Sequence, residues 1–374
     1  MQSYSELIYW LTLINQSGLK LNLVKPIIQQ WCFTEQRPLA ELFELSPLEW
    51  ASRFGLADSE AEQASRAREK LAKQAAIVAQ WQAQQIEPLI RTDPRYPKWL
   101  IHTLPAVKQP LILWARGAIE RLNEPGVAVL GSQPPEAAAK VMDEVMRTLL
   151  AEGISLVSGY GRGLDRATFE MMLTLENGWA ITVLPMGLTA FAKSTSKLEA
   201  AIVANRIVLV SPFAPDTAYQ DKLAEARNLL IDHLALALLI PQADDDSLAR
   251  AKEALSRDVP VFVGLTDTAP NRALLDGGAL LLTDAGEVVE TVQQALIDDE
   301  LLDDSAEPSL PQPISPASIP PAAILPPESS DSYALHTEEV EPLDSDEALD
   351  ILSLGGNVPD ILRERLEKAK KAKK

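Results

Sequence analysis

The pattern of apolar and polar positions divides the chain into a helical first part and an alternating second part. Up to about residue 85, apolar residues recur at three- and four-residue spacing, as in "SELIYWLTLINQ" and "NLVKPIIQQWCF". This is the period of amphipathic helices. Ser46-Pro47 and Asp58-Ser59 supply helix start signals. Several short helices before one long one predict a small helical bundle over residues 1–85.

From Val127 onward, short apolar runs alternate with helical stretches. Runs such as "VAVLGS", "ISLVSG" and "RIVLVSP" are continuously apolar, as expected for parallel strands that are buried on both faces. Helices are predicted between such runs over residues 165–176, 196–205, 219–231 and 247–257. The alternation predicts the α/β class, with a Rossmann-like doubly wound parallel sheet over residues 127–298.

The segments on either side of this domain differ in composition. Residues 86–126 are dotted with proline and predict a connector with one short strand at "LILWARG". Residues 299–345 are rich in proline and acidic residues and poor in aromatic ones, which predicts a disordered linker. Residues 346–374 predict short helices that end in the basic tail "KAKKAKK".

The net charge limits the kinds of nucleic-acid site that the chain can offer. The sequence has 53 acidic and 34 basic residues, a net charge of -19. Residues 301–374 carry 15 acidic and 7 basic residues, a net of -8, which leaves -11 for the first 300. Such a charge argues against non-specific coating of nucleic acid. Any nucleic-acid site is therefore expected to be a local basic patch.

Several classes of protein are disfavoured by composition. Cys32 is the only cysteine and there are three histidines, so neither an intrachain disulfide nor a cysteine-based metal cluster is expected. No apolar run approaches the roughly 18 residues of a transmembrane helix, and the N-terminus lacks the basic segment of a signal peptide. We therefore expect a cytoplasmic protein without a metal, cofactor or membrane partner. No catalytic residue is predicted, because Ser158 has no base near it in sequence.

The stretch "SGYGRGLD", residues 158–165, lies between a predicted strand and a predicted helix. Gly159, Gly161 and Gly163 allow positive φ and a close approach of a ligand to the main chain. Amides at a helix N-terminus favour anions, and Arg162 adds a forked donor that suits phosphate oxygens. The stretch fits a phosphate-binding loop, and it also fits a tight turn without a ligand.

A series of motifs in one order resembles the DprA/Smf family of DNA-processing proteins over about residues 5–295. In the connector, "DPRYPKWL" and "PLILWARG" resemble the family's D-P-x-Y-P-x-x-L and P-x-x-L-y-x-x-G. Next, "VAVLGSQ" resembles V-A-I-V-G-S-R, and "SGYGRGLDRATF" resembles S-G-x-A-x-G-I-D-x-x-A-H. Then "VLPMGL", "EARNLLIDHLALALLI" and "APNRALLDGGALLL" are similar to V-L-g-x-G-l, R-R-N-R-I-I-A-G-L-S and G-x-N-x-L-I-x-x-G-A.

The resemblance implies a non-enzymatic protein that binds single-stranded DNA, handles incoming strands and helps to load the RecA recombinase in transformation or recombination. It also implies a homodimer and a SAM-like fold for the N-terminal bundle. Arg162 would meet a backbone phosphate, and Asp165 would cap or orient the next helix. Tyr160 and Phe191 are candidates for base stacking. The DNA-binding residues that the resemblance implies are Gly131, Ser132, Ser158, Gly159, Gly161, Arg162, Gly163, Asp165, Lys193, Arg227 and Asn228.

The sequence departs from the family motifs at several positions. Basic or histidine positions of the motifs are occupied here by Gln133, by Phe169 in "ATF", and by Ala226 and Leu229 on either side of "RN". A Ser-Gly-rich turn is replaced by "PQADDDSLAR", which places Asp244–Asp246 near the strand ends. Each lost phosphate contact predicts weaker binding and a smaller salt dependence.

Two other functions stay open from the sequence. One is a nucleotide-binding enzyme or sensor on the same fold, although "DGGALLLTD" lacks the P-G-G-x-G-T motif of related phosphoribohydrolases. The other is a diverged paralogue that acts as a protein-interaction scaffold. Binding of labelled oligo-dT at two salt concentrations would distinguish both from a DNA-binding protein.

Overall fold

The structure, a computed structural model, describes residues 5–191 and 196–305, with side chains described at all of these except 196 and 297–305. These residues belong to one compact unit. Within this part of the chain, no helix is long and apolar enough to cross a membrane. Most of the predicted linker and all of the predicted basic tail lie outside the described residues.

Residues 5–85 form the predicted helical leader. Ser46 begins one of its helices with a capping box, in which the Glu49 carboxylate accepts a hydrogen bond from the Ser46 amide. Trp10, Trp31 and Trp50 are fully buried in its core, and large aromatic side chains supply most of the apolar area in so small a bundle. Its elements are α1 Glu6–Gln16, α2 Leu21–Ile28, a π-helical turn Gln29–Thr34, α3 Leu39–Leu42, α4 Pro47–Phe54, α5 Asp58–Ser65, a 3-10 turn Arg66–Lys70 and α6 Leu71–Ala83.

One nine-stranded sheet follows, with the order β1-β2-β6-β5-β4-β3-β7-β8-β9. The strands β3 to β9 are all parallel to one another, whereas β2 pairs antiparallel with both β1 and β6. The strands are β1 Glu87–Ile90, β2 Ile112–Gly117, β3 Gly126–Val129, β4 Ser155–Ser158, β5 Ala180–Val183, β6 Ile207–Ser211, β7 Ala237–Ile240, β8 Val261–Gly264 and β9 Leu280–Leu282.

Helices cover both faces of the sheet, as in a doubly wound fold. The core on one face includes residues of α8, α9, α11 and α15, and the core on the other face includes residues of α7, α12, α13 and α14. These helices and the short turns between them are α7 Lys98–Thr103, a 3-10 turn Ile119–Arg121, α8 Glu136–Ala151, α9 Leu164–Thr174, α10 Leu188–Phe191, α11 Ser196–Val203, α12 Lys222–Leu234, α13 Asp245–Leu255, α14 Ala269–Asp276 and α15 Ala285–Ser305.

Alternate residues of each strand enter different cores. In β3, Val127 and Val129 join one core while Ala128 joins the other, which explains why the strands read as continuous apolar runs. The leader packs on the first of these faces, and its core is continuous with that of the sheet. Trp81 of α6 and Trp114 of β2 make the contact, with ring centroids 4.5 Å apart in an edge-to-face arrangement.

The predicted fold class is confirmed: a mostly parallel, doubly wound sheet follows a helical leader. The strand predicted at "LILWARG" is β2, but β1, α7, α10 and α14 were not predicted. The connector is therefore part of the sheet, in which it adds the two antiparallel strands at one edge. Six prolines interrupt this segment, and the pairing of β2 with β6 is a tertiary contact that no local sequence pattern predicts.

Candidate nucleic-acid interface

A cleft of about 200 Å³ opens where the strand order reverses. The strands β4 to β6 lie on one side of β3, and the strands β7 to β9 lie on its other side. The loops after β3, β4 and β7 therefore diverge at the carboxyl ends of these strands, which is where doubly wound sheets bind ligands. The cleft is lined by Val129, Leu130, Gly131, Val157, Gly159, Gly161, Arg162, Asp165, Arg227, Asn228, Ile231, Asp244, Asp246 and Arg250.

The carboxylate of Asp165 holds the glycine-rich turn after β4. Its Oδ1 atom accepts a hydrogen bond from the Ser158 hydroxyl at 2.5 Å, and its Oδ2 atom accepts one from the Gly161 amide at 2.6 Å. The Ser158 hydroxyl oxygen accepts a third bond, from the Tyr160 amide at 3.0 Å. Asp165 thus orients the turn. It does not cap α9, because the residue at the N-cap position is Gly163, with φ 68° and no side-chain cap.

Two glycines of the cleft are required by close approaches of neighbouring groups. Gly131 has φ 101°, and a Cβ atom there would overlap the main-chain oxygen of Gln242. The same oxygen accepts a hydrogen bond from the Ser132 amide at 2.9 Å, which ties the loops after β3 and β7 together. At Gly159, a Cβ atom would overlap the guanidinium of Arg227.

Arg227 extends from α12 across the glycine-rich turn. Its Nη1 atom donates to the main-chain oxygen of Gly159 at 2.8 Å, whereas its buried Nε atom has no acceptor among the described residues. Burial lowers the pKa of the guanidinium, Asp165 raises it and Arg250 lowers it further. The side chain makes no salt bridge within the described part of the chain, so a half-buried positive charge borders the cleft without a carboxylate bound to it.

Arg162 is exposed and lines the same cleft. Both guanidinium groups lie near Tyr219, which is 53% exposed in the loop between β6 and α12. The hydrogen bond from the Tyr219 hydroxyl to Asp221 raises the pKa of the phenol, while Arg227 and Arg162 act in the opposite direction. An accessible phenol therefore lies within electrostatic range of the two arginines.

The acidic residues after β7 are engaged with other groups. Asp244 caps α13, with its Oδ1 atom accepting from the Ser247 amide at 2.9 Å. Asp246 lies 3.4 Å from Arg250, and Arg250 makes a bidentate ion pair with the buried Asp232 at 2.7 to 3.1 Å. Burial acts to lower the pKa of Arg250, but the hydrogen bonds and charges of Asp232 and Asp246 together raise it. Two of the three aspartates thus have local structural partners.

The aromatic residues that the sequence offered for stacking are packed instead. Tyr160 makes edge-to-face contacts with Phe169 at 4.9 Å and with Phe191 at 5.4 Å between ring centroids. Phe169 and Phe191 are buried. Arg166 covers the remaining face of Tyr160, with its Cζ atom 3.5 Å from the ring centroid. Phe169, which occupies the histidine position of the family motif, is therefore a core residue.

The structure brings most of the predicted residues together. Seven line the cleft directly: Gly131, Gly159, Gly161, Arg162, Asp165, Arg227 and Asn228. Ser132, Ser158 and Gly163 shape its loops, and Lys193 lies outside the described residues. Arg250, which lines the cleft, and Tyr219, which lies within electrostatic range of Arg162 and Arg227, were not predicted as site residues, since only the fold brings them near these arginines. Among the described residues, no group of three or more His, Cys, Asp or Glu side chains could hold a metal ion.

Comparisons with known proteins identify relatives of this chain. The DNA processing protein DprA of Streptococcus pneumoniae is 28% identical over 191 residues, which are 48% of this chain and 66% of that protein, just under two thirds of its length. The X-ray structure of the Streptococcus pneumoniae protein superposes with a TM-score of 0.59 at 22% identity, covering 77% of this chain and 98% of that one. This likeness concerns the fold.

A second solved structure is more distant. DNA processing protein A from Helicobacter pylori, studied for its single-stranded DNA binding mode, gives a TM-score of 0.46 at 23% identity over 57% of this chain and 97% of that one. The family model for DNA recombination-mediator protein A matches residues 87–298, which include β1, β2 and every residue of the cleft. This match covers more than half of the sequence, and the chain belongs to the DNA recombination-mediator protein A family.

Proposed function

We propose that the chain is a DNA-processing protein that holds the sugar-phosphate backbone of single-stranded DNA at the cleft between β3, β4 and β7. Arg227 and Arg162 contact phosphate oxygens, and the face of Tyr219 supports a neighbouring base. The glycine-rich turn lets the strand approach the main chain. Recognition is independent of sequence, because phosphates and base faces are common to all nucleotides.

The arrangement of Arg227 carries this proposal. Its Nη1 atom is fixed by the Gly159 carbonyl, and its Nε and Nη2 atoms have no acceptor in the described part of the chain. A guanidinium held in one position by the protein, without a carboxylate, is ready to bind an oxyanion with little further loss of side-chain entropy. A phosphate oxygen supplies both the acceptor and the counter-charge.

The acidic net charge does not contradict a local site. Asp165 accepts hydrogen bonds from the turn, Asp244 caps α13, and Asp246 faces Arg250. These three carboxylates therefore have local partners. The field of the whole chain should nevertheless keep the affinity modest and make it strongly dependent on ionic strength.

A titration of labelled oligo-dT at several salt concentrations tests the proposal. Arg162→Ala and Arg227→Ala should each weaken binding and reduce the slope of log K against log salt by about 0.7, the value for one phosphate of a single strand. Arg147→Ala on the exposed face of α8 is the matched control, and it should leave both quantities unchanged. Wild-type protein that binds no oligo-dT even at low salt would overturn the proposal in favour of a protein-interaction scaffold.

The place of the protein in recombination is a further part of the proposal. We infer from the family that the bound strand is handed to a RecA-type recombinase in transformation or recombination, and that the protein acts without catalysis. Strand exchange by RecA on DNA pre-coated with single-strand-binding protein should start sooner when the chain is present. No acceleration, or degradation of the DNA by the purified protein, would contradict this part alone.

A further inference from the structure

Two positively charged side chains, Lys25 and Arg91, lie within electrostatic range of each other where the leader joins the sheet. Lys25 of α2 donates from Nζ to the main-chain oxygens of Val107 at 2.7 Å and Gln109 at 3.2 Å. Arg91, directly after β1, donates from Nη1 to Gln29 at 3.3 Å. The Arg91 guanidinium also stacks on Phe33, with its Cζ atom 4.6 Å from the ring centroid. We call Lys25 and Arg91 the leader cation pair.

The described part of the chain offers the leader cation pair no counter-ion. Neither side chain makes a salt bridge within residues 5–191 and 196–305. Burial lowers the pKa of Lys25 and Arg91 lowers it further, and burial lowers the pKa of Arg91. The Nη2 group of Arg91 makes no hydrogen bond to the described protein. Buried or half-buried charges are usually paired, so two adjacent cations without an anion indicate a place for an external one.

The sheet places this pair on the same edge as the cleft. Because β1 and β6 both pair antiparallel with β2, β1 runs parallel to β6. The last residues of β1 and β6 lie at nearly the same level of the sheet. Ile90 ends β1 and pairs with Ile112 of β2. Ser211 ends β6 and pairs with Trp114, which is two residues after Ile112 in β2. Arg91 therefore lies at the carboxyl edge, where the cleft also opens.

The distance and the intervening loop suit a single strand. Four strand spacings separate β1 from β4, which at about 4.8 Å each is roughly 19 Å. At the ~3.4 Å per nucleotide of one B-form strand, this corresponds to about six nucleotides, and a more extended strand needs fewer. The loop after β6, which carries the exposed ring of Tyr219, lies between the two sites because β6 stands between β2 and β5.

We propose that the leader cation pair is a second phosphate-binding site, and that a single strand runs along the carboxyl edge of the sheet from the cleft, past Tyr219, to Lys25 and Arg91. This rests on the proposed binding of single-stranded DNA at the cleft. It assigns the helical leader a direct contact with the nucleic acid. The third proton of the Lys25 ammonium and the Nη2 group of Arg91 would bind phosphate oxygens of the distal part of the strand.

Oligonucleotide length tests this path. The double variant Lys25→Gln/Arg91→Gln should bind oligo-dT of about 20 nucleotides several-fold more weakly than wild type, with a salt slope lower by about 1.4, or 0.7 for each lost phosphate. Oligo-dT of about four nucleotides, which occupies the cleft alone, should bind both proteins equally. Unchanged short-oligonucleotide binding also shows that the variant is folded. The double variant Lys25→Arg/Arg91→Lys retains both charges and should keep most of the wild-type slope.

The matched control removes two charges from the other end of the domain. Arg147→Gln/Lys252→Gln changes exposed residues in the second halves of α8 and α13, which run antiparallel to the strands and so point away from the carboxyl edge. This control should reproduce the wild-type length dependence. If the leader variant binds the long oligonucleotide like the control while Arg227→Ala still weakens it, the second site is excluded and the cleft is retained. If wild type binds neither length, the proposed function itself fails.

Discussion

Arg227 donates a hydrogen bond from Nη1 to the carbonyl oxygen of Gly159 at 2.8 Å, across 68 positions of sequence. A Cβ atom on Gly159 would occupy the space of the guanidinium. The glycine and the arginine are therefore complementary, since the absence of one side chain makes room for the other. This relationship fixes a positive charge at the carboxyl ends of β3 and β4.

Gly159→Ala should displace the Arg227 guanidinium and weaken oligo-dT binding about as much as Arg227→Ala. Stability should change by less than about 1 kcal/mol, because the atom that must move is the end of a flexible side chain. Fluorescence anisotropy measures the binding, and urea unfolding measures the stability. In the Arg227→Ala background, Gly159→Ala should have no further effect on binding. Additive losses in the double variant would show that the two residues act independently.

Tyr219→Ala should weaken oligo-dT binding by about 1–3 kcal/mol, the range for removal of one stacked base. Tyr219→Phe keeps the ring and loses only the hydrogen bond to Asp221, so its affinity should stay close to wild type. The ring is 53% exposed, and neither change should alter the unfolding midpoint much. Equal loss in both variants would instead assign the effect to the hydroxyl group.

Asp165→Ala should destabilise the protein by about 1–3 kcal/mol, because it leaves the Gly161 amide and the Ser158 hydroxyl without their acceptor. The glycine-rich turn should lose its shape, so oligo-dT binding should fall as well. Glu170→Ala, at an exposed position on the same helix, is the control for charge and helix propensity. A variant with wild-type stability in urea would contradict the role of Asp165 in holding the turn.

His233 should make the protein less stable in mild acid. Burial, together with the charges of Arg257 and Lys108, lowers the pKa of its imidazole from 6.5 to about 4. The unfolded chain therefore takes up a proton as the pH falls through about 6.5, whereas the folded chain takes it up only near 4. From about pH 7 to about pH 5 the free energy of unfolding should fall by about 2 kcal/mol.

Urea unfolding at the two pH values measures this loss. His233→Gln should remove most of the difference between the two, and His102→Gln, at an exposed position, should retain it. Carboxylates titrate mostly below this window, so they contribute little to the comparison. An identical pH dependence in both variants would mean that His233 is not the group responsible.

We predict that the protein is a homodimer formed through the sheet domain. Leu265, which follows β8, is 77% exposed, and it lies beside β9, the edge strand of the sheet, where Leu280 is 39% exposed. Light scattering at tens of micromolar should give twice the monomer mass, and Leu265→Lys should shift it towards the monomer. Val203 is 79% exposed beside the opposite edge of the sheet, and Val203→Lys should leave the dimer mass unchanged. A wild-type protein that is monomeric at this concentration would contradict the prediction.

The sequence by itself determined most of the elements of this fold, with the exception of β1, α7, α10 and α14, and it predicted a phosphate-binding turn. Continuous apolar runs such as 127–130 and 154–157 predict buried parallel strands because both of their faces are covered. Three glycines and one arginine between a strand and a helix predict a backbone that is open to an anion. These properties are local, since the period of the side chains and the conformational freedom of glycine act over a few residues.

Only the tertiary structure decided which residues meet. Arg227 reaches Gly159, Asp246 faces Arg250 rather than Arg227, and Tyr160 is covered by Arg166 and two phenylalanines. Tyr219 stands at the cleft and Arg91 at the same edge because of strand order, which depends on pairing between distant segments. Cross-strand hydrogen bonds and burial of both sheet faces set that order, and neither leaves a local pattern in the chain.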